Sequence, residues 1–146
     1  MSLLLSHDSY WNPMVPELTV TDVAASLAFY EAAGFSVRFR RSDPPFAYLE
    51  LGQAQLMIEQ RHSRAWVVAP LVPPLGRGVN FQVEVPSADR TLSALRTIGV
   101  EPYVELADNW YSVSTTEEEG QREFLAQDPD GYLFRFSEPL GSRRAA

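Results

Sequence analysis

The sequence predicts an α+β fold built from two copies of one module, each running strand, helix, strand, strand, strand. Three observations carry this. A half-buried strand followed by a capped helix opens the first half and recurs in the second. The two copies register on one another: Leu18 and Val20 on Phe81 and Val83, Gly34 on Gly99, and residues 56–59 on 132–135. A stretch carrying prolines and glycine, residues 61–77, lies between them. A repeat of this kind means two similar supersecondary units. Each has one helix with which to cover one face of a small sheet.

Residues 15–20 alternate, with Pro16, Leu18 and Val20 on one side and Val15, Glu17 and Thr19 on the other. That is the pattern of a strand buried on one face. Thr21-Asp22 offers an N-cap for a helix over 23–33. Its Val23, Leu27 and Tyr30 form an apolar stripe, and Gly34 is a natural stop. Strands follow over 37–41, 46–51 and 56–60, broken at Asp43-Pro44-Pro45 and at Gly52-Gln53. Arg38 and Arg40 alternate with Val37 and Phe39 and are expected to face away from the helix. In the second half Val79, Phe81 and Val83 alternate with Asn80, Gln82 and Glu84. Ser87 caps a helix over 88–98, with Leu92 and Leu95 inward and Gly99 at its end. Strands are expected around 102–105, 111–114 and 123–127. Asp128-Pro129-Asp130-Gly131 is a tight turn, and 132–137 is the last strand. The expected organisation is an N-terminal tail over 1–12, one domain over 13–139, and a C-terminal tail over 140–146. Within the domain, module one covers about 13–62, a linker about 63–77 and module two about 78–139.

Composition removes several function classes. Hydrophobic residues make up 45% and charged residues 21% of the chain, ordinary values for a globular domain. No apolar run approaches the roughly 20 residues of a membrane span, so no membrane partner is expected. Met1 to Asn12 lacks the basic-then-apolar order of a secretory signal. Cysteine is absent, which removes disulfides and thiolate chemistry; the expected compartment is the cytoplasm. The net charge of −7 speaks against nucleic acid, whose binding rests on neutralising phosphates. All 12 basic residues are arginine, so there is no lysine for a Schiff base or a phosphate-binding loop. The summed field of an acidic domain favours cationic ligands.

The segment Val15-Pro-Glu-Leu-Thr-Val-Thr-Asp-Val-Ala-Ala-Ser-Leu-Ala-Phe-Tyr30, followed by Gly34-Phe35, resembles the opening of bleomycin-resistance and glyoxalase-like proteins. So do Phe46-Ala-Tyr-Leu-Glu-Leu-Gly52 with Leu56-Met-Ile-Glu59, and Gly120-Gln-Arg-Glu-Phe-Leu-Ala-Gln-Asp-Pro-Asp-Gly131. Together these cover residues 13–139. The chain therefore resembles the vicinal-oxygen-chelate superfamily, closest in pattern to its bleomycin-resistance proteins. The resemblance implies paired βαβββ modules forming a curved mixed sheet around an open cavity, and a homodimer. It implies a protein that sequesters an aromatic or cationic small molecule without catalysis. The alternative is a metal-dependent lyase or oxidoreductase of glyoxalase or dioxygenase type.

Metal enzymes of that superfamily place ligands on the first and last strand of each module. Carried over, these positions fall on Val15, Glu59, Gly78 and Arg135, of which only Glu59 can bind a cation. A catalytic divalent site needs about three protein ligands, so no metal, cofactor or catalytic residue is expected. Glu59 and Arg135 are equivalent positions on the last strands, facing away from the helices. They are expected either to pair or to hold a polar ligand. Asp108-Asn109-Trp110-Tyr111 is read as a loop whose aromatics meet a ligand. The expected ligand-binding set is Tyr48, Glu59, Trp110, Tyr111 and Arg135. Of the two histidines, His7 falls in the tail and His62 is expected as an exposed linker residue. Trp11 and Trp66 are read as edge packing, and Glu117-Glu118-Glu119 as a solvated loop.

Overall fold

A computed structural model describes residues 10–146. Residues 1–9 of the expected tail, His7 among them, lie outside the described residues. The chain divides between Val72 and Pro73 into two compact units, and each is a βαβββ module.

Module one comprises β1 (Glu17–Val20), α1 (Val23–Ala33), β2 (Ser36–Ser42), β3 (Pro45–Leu51) and β4 (Ala54–Gln60). Its sheet has the order β1-β4-β3-β2, with β1 parallel to β4 and the other pairs antiparallel. Asp22 caps α1 by accepting a hydrogen bond from the Ala24 amide at 2.9 Å. Gly34, at φ 110°, ends it. There the amides of Gly34 and Phe35 donate back to the carbonyls of Glu31 and Tyr30, at 3.1 and 2.9 Å. This left-handed turn is open to glycine and strained for other residues. α1 packs on β3 and β4, and Leu27, Phe29 and Tyr30 are buried with Leu18, Val20, Ala47, Leu49 and Ile58.

Module two comprises β5 (Asn80–Glu84), α2 (Ala88–Thr97), β6 (Val104–Ser112), β7 (Glu117–Gln127) and β8 (Leu133–Arg144). The sheet order β5-β8-β7-β6 repeats that of module one. So does the register of the parallel pair: Leu18 opposes Ile58 and Thr19 opposes Glu59, as Phe81 opposes Phe134 and Gln82 opposes Arg135. α2 packs on β7 and β8, and its buried Leu92 and Leu95 share the core with Val83, Phe124, Phe134 and Phe136. Among the described residues no helix is long and apolar enough to cross a membrane.

Three expectations are corrected. The strands expected at 102–105 and 111–114 are the two ends of one strand, β6, so 108–111 is not a loop. Asp108 pairs with Arg122 of β7 at 2.8 Å and Asn109 donates to Glu123 at 2.9 Å, so the polar residues that suggest a loop are used across the ladder. Residues 117–119 are likewise strand, opposite the end of β8, with Glu118 bound to Arg143 at 2.8 Å. β8 runs on to Arg144, into the stretch expected as a tail. Its pairing passes from Pro139 opposite Gln121 to Gly141 opposite Gly120. Leu140 is the extra residue of a bulge, which lets a strand absorb a proline and continue.

Candidate functional site

Phe134 and Phe136 are fully buried on the side of β8 that meets α2. Strand alternation turns Arg135 and Ser137 to the opposite face. Register then brings Gln82 of β5 beside Arg135 and Glu123 of β7 beside Ser137. Asn109 and Tyr111 reach the same face from β6. Glu123 is the centre of this group and is only 3% exposed. Its Oε2 accepts from the Tyr111 hydroxyl and from Asn109 Nδ2 at 2.9 Å. Its Oε1 lies 3.8 Å from Arg135 Nη1. Arg135 Nη2 donates to Gln82 Oε1 at 2.6 Å, and its guanidinium carbon lies 6.0 Å from the centre of the Tyr111 ring. The hydrogen bond to Glu123, reinforced by burial, pushes the Tyr111 phenol above its ordinary value of 10. Tyr111 therefore keeps its proton and donates it.

In module one the corresponding face carries Glu59. Its Oε1 is 2.9 Å from His62 Nε2. His62 Nδ1 accepts from the Arg64 amide at 3.2 Å, which places the ring proton on Nε2, where it donates to Glu59. His62 is thus a half-buried partner of Glu59 rather than a solvated linker residue. Burial, and then the nearby charge of Glu59, raises the Glu17 carboxyl above its ordinary 4.5. His62 also lines an open cavity of about 410 Å³ with Thr19, Arg61, Ser63, Ala65 and residues 67–71.

Tyr48 is 4% exposed. Its hydroxyl donates to Gln55 Oε1 at 2.6 Å, and burial raises its pKa. Its ring stacks on Phe39 at 5.3 Å and meets the edge of Trp11 at 5.1 Å. Phe39 reaches Tyr48 because a bulge between Val37 and Phe39 breaks the alternation expected along β2. Arg38 lies over Trp11 at 3.6 Å and pairs with Glu50 at 3.6 Å. Tyr48 lies on the same face of the module-one sheet as Glu59, since Phe46 opposes Glu59 and Tyr48 opposes Met57, but its ring and hydroxyl are already committed to protein partners.

Trp110 sits on the opposite side of β6 from Tyr111, because neighbours in a strand point to opposite faces. It lies flat on Gly120, where a Cβ would come within 2.7 Å of the ring, and Arg143 lies over it at 4.1 Å. Of the five expected ligand-binding residues, the structure brings Tyr111 and Arg135 together. It sets Glu59 at the equivalent register position of module one, buries Tyr48 and turns Trp110 away. The residue missed from the sequence is Glu123. A signal was present: Phe124 and Ala126 are apolar at alternate positions, which puts Glu123 on the face opposite the core.

The residues at the superfamily's metal positions do not fit a divalent ion. Val15 and Gly78 offer no donor, Arg135 is a cation hydrogen-bonded to Gln82, and Glu59 is bound to His62. One carboxylate falls short of the three ligands such a centre needs.

The glyoxalase/bleomycin resistance protein/dioxygenase superfamily model matches residues 13–136. Among solved structures, TioX from Micromonospora sp. ML1 is 21% identical, with 87% of this chain and 95% of that chain covered and a TM-score of 0.63. The bleomycin resistance determinant encoded on the transposon Tn5 is 18% identical, covering 88% and 98%, with a TM-score of 0.57. The fosfomycin resistance protein FosX from Listeria monocytogenes is 17% identical, covering 88% and 91%, with a TM-score of 0.58. At these identities the likeness is one of fold. No curated protein matches the sequence.

Proposed function

Because the chain belongs to the glyoxalase/bleomycin resistance protein/dioxygenase superfamily, we propose that it is a small-molecule-binding protein that sequesters its ligand without transforming it. The observation that carries this reading is the buried carboxylate of Glu123, held by Tyr111 and Asn109 and facing Arg135. A few convergent polar groups beside an aromatic ring are what a ligand site needs for orientation and affinity. Among the described residues no three His, Cys, Asp or Glu side chains gather as a metal donor set, which favours binding over the metal-dependent lyase or oxidoreductase reading. Tyr111, Glu123 and Arg135 contact the ligand. Trp110 acts from behind, supporting its sheet, and Tyr48 braces the face of module one that carries Glu59. Residues 13–139 work as one binding domain of a cytoplasmic homodimer. The bleomycin-resistance relative makes an amphipathic, aromatic, cationic molecule the first compound to try.

Titration of the intrinsic tryptophan fluorescence with bleomycin and with a neutral aromatic compound tests this. Tyr111→Ala is expected to weaken both by about 1–3 kcal/mol, the range for a ring that loses its burial. Glu123→Gln is expected to weaken the cationic compound more than the neutral one. If both variants bind both compounds like the parent, the site lies elsewhere.

A further inference from the structure

Two buried side-chain atoms of the module-two face have no hydrogen-bond partner, Glu123 Oε1 and Arg135 Nε. The first can only accept and the second only donate. The other oxygen of Glu123 is taken by Tyr111 and Asn109, and Arg135 Nη2 by Gln82. Their own closest approach, 3.8 Å from Nη1 to Oε1, is an ion pair too long for a hydrogen bond. Buried polar atoms in native proteins are nearly always satisfied, and the exceptions ask for a cause.

We propose that this pair recognises a neutral group carrying a donor and an acceptor side by side, a carboxamide or a urea. Its N–H donates to Glu123 Oε1 and its carbonyl accepts from Arg135 Nε. The inference rests on the small-molecule-binding reading above and names the ligand class of that site. The charges decide between candidates. An ammonium ion satisfies Glu123 but sets a cation against Arg135 and leaves Nε unmade. A carboxylate satisfies Arg135 but sets an anion against Glu123. The pair itself sums to zero charge, so selection comes from matched hydrogen bonds, which discriminate strongly against groups that leave a buried partner unpaired. Tyr111 is 41% exposed, bonds Glu123 and lies near Arg135, so it is the part of the cluster an arriving ligand meets. Both unpaired atoms are closed off from solvent as the side chains stand, and entry requires Tyr111, on the edge strand β6, to turn outward.

The test is an NMR titration of the full, nitrogen-15-labelled chain with three probes that share one ring: benzamide, benzoate and benzylammonium. Benzamide is expected to bind at least about tenfold more tightly than either ion, with shifts centred on Tyr111, Glu123 and Arg135. Glu123→Gln removes the negative charge beside Arg135 and is expected to move the preference to benzoate. Arg135→Lys keeps the charge, loses Nε and is expected to abolish the preference for benzamide. Arg135 has a partly exposed side chain, so this second variant carries the test if Glu123→Gln does not fold. Tighter binding of either ion to the parent, or a benzamide preference that survives both variants, overturns the carboxamide assignment and keeps the site. Shifts centred elsewhere for every probe overturn the site reading itself. Failure of all three probes to bind also overturns the assignment and leaves the two atoms to a bridging water.

Discussion

A carboxylate that is 3% exposed must be surrounded by donors, because an unpaired buried charge is too costly to keep. Glu123 is held on one oxygen by Tyr111 and Asn109 and has Arg135 3.8 Å from the other, and the arrangement has a signature in pH. The Tyr111 pKa is raised, first by its hydrogen bond to Glu123 and then by burial. A group whose folded pKa exceeds its unfolded value contributes stability that is complete below the unfolded value, here 10. That contribution is lost as pH rises through the folded value. Ultraviolet titration of the phenolates is therefore expected to show two tyrosines, Tyr48 and Tyr111, ionising later than their ordinary range. Glu123→Gln should bring Tyr111 alone back down, and an unchanged titration curve in the variant would show that the bond does not hold. At this scale Arg135 and Glu59 were legible in the sequence, since Phe134 and Ile58 fix which way their neighbours point. Glu123 was missed although Phe124 and Ala126 fix its direction in the same way, because it ends a run of mostly charged and polar residues that looks solvated until β6 is laid beside it.

At the scale of elements, both helices and the strands of module one were readable, since their periodicity and their stops agree. Gly34 and Gly99 both take positive φ, at 110° and 84°, and both close a helix with amides that reach back to the last turn. The hairpin of β6 and β7 was harder to read. Its polar residues pair with one another across the strands instead of with water. The Asp108 carboxyl is held below its ordinary 3.8 by its hydrogen bond to Arg122, and such cross-strand pairs are visible only once the register is known. Gly120 is the tightest point of this hairpin. A methyl group there would lie 2.7 Å from the Trp110 ring, and Arg143 also lies over that ring, 4.1 Å from its centre. Gly120→Ala is expected to displace Trp110 and destabilise the protein by about 1–3 kcal/mol, as overpacking does. A shifted tryptophan emission together with a lower denaturation midpoint would show it; a parent-like spectrum and midpoint would count against the packing described.

At the scale of the molecule, the duplication was legible because both copies keep the same order and nearly the same spacing, and the structure repeats even the register of the parallel pair. The role of 61–77 was less so: sequence read it as a bare linker, whereas its first residues pair with β4 through His62 and build one wall of a cavity. Each module owns one helix and a four-stranded sheet, and a sheet with one helix has a second face to cover. A homodimer with an interface above roughly 2,000 Å² is expected on that ground. Sedimentation equilibrium at micromolar protein should give twice the mass of the chain, and a stable monomer would refute it.

The way the strands are shared out also sets an order of events in the making of the protein. Every ladder of the first sheet closes by Gln60, before Asn80 begins the second. As the chain leaves the ribosome, β1 can find its parallel partner β4 while the second sheet is still unsynthesised. Domains that complete early fold early, and pairings kept within one half of a chain hold the loop-closure cost down. The pairing of module one can thus begin before module two is made. The exposed edges of a half-made sheet, the usual seeds of aggregation, need then be open only for the time it takes to add each module's last strand.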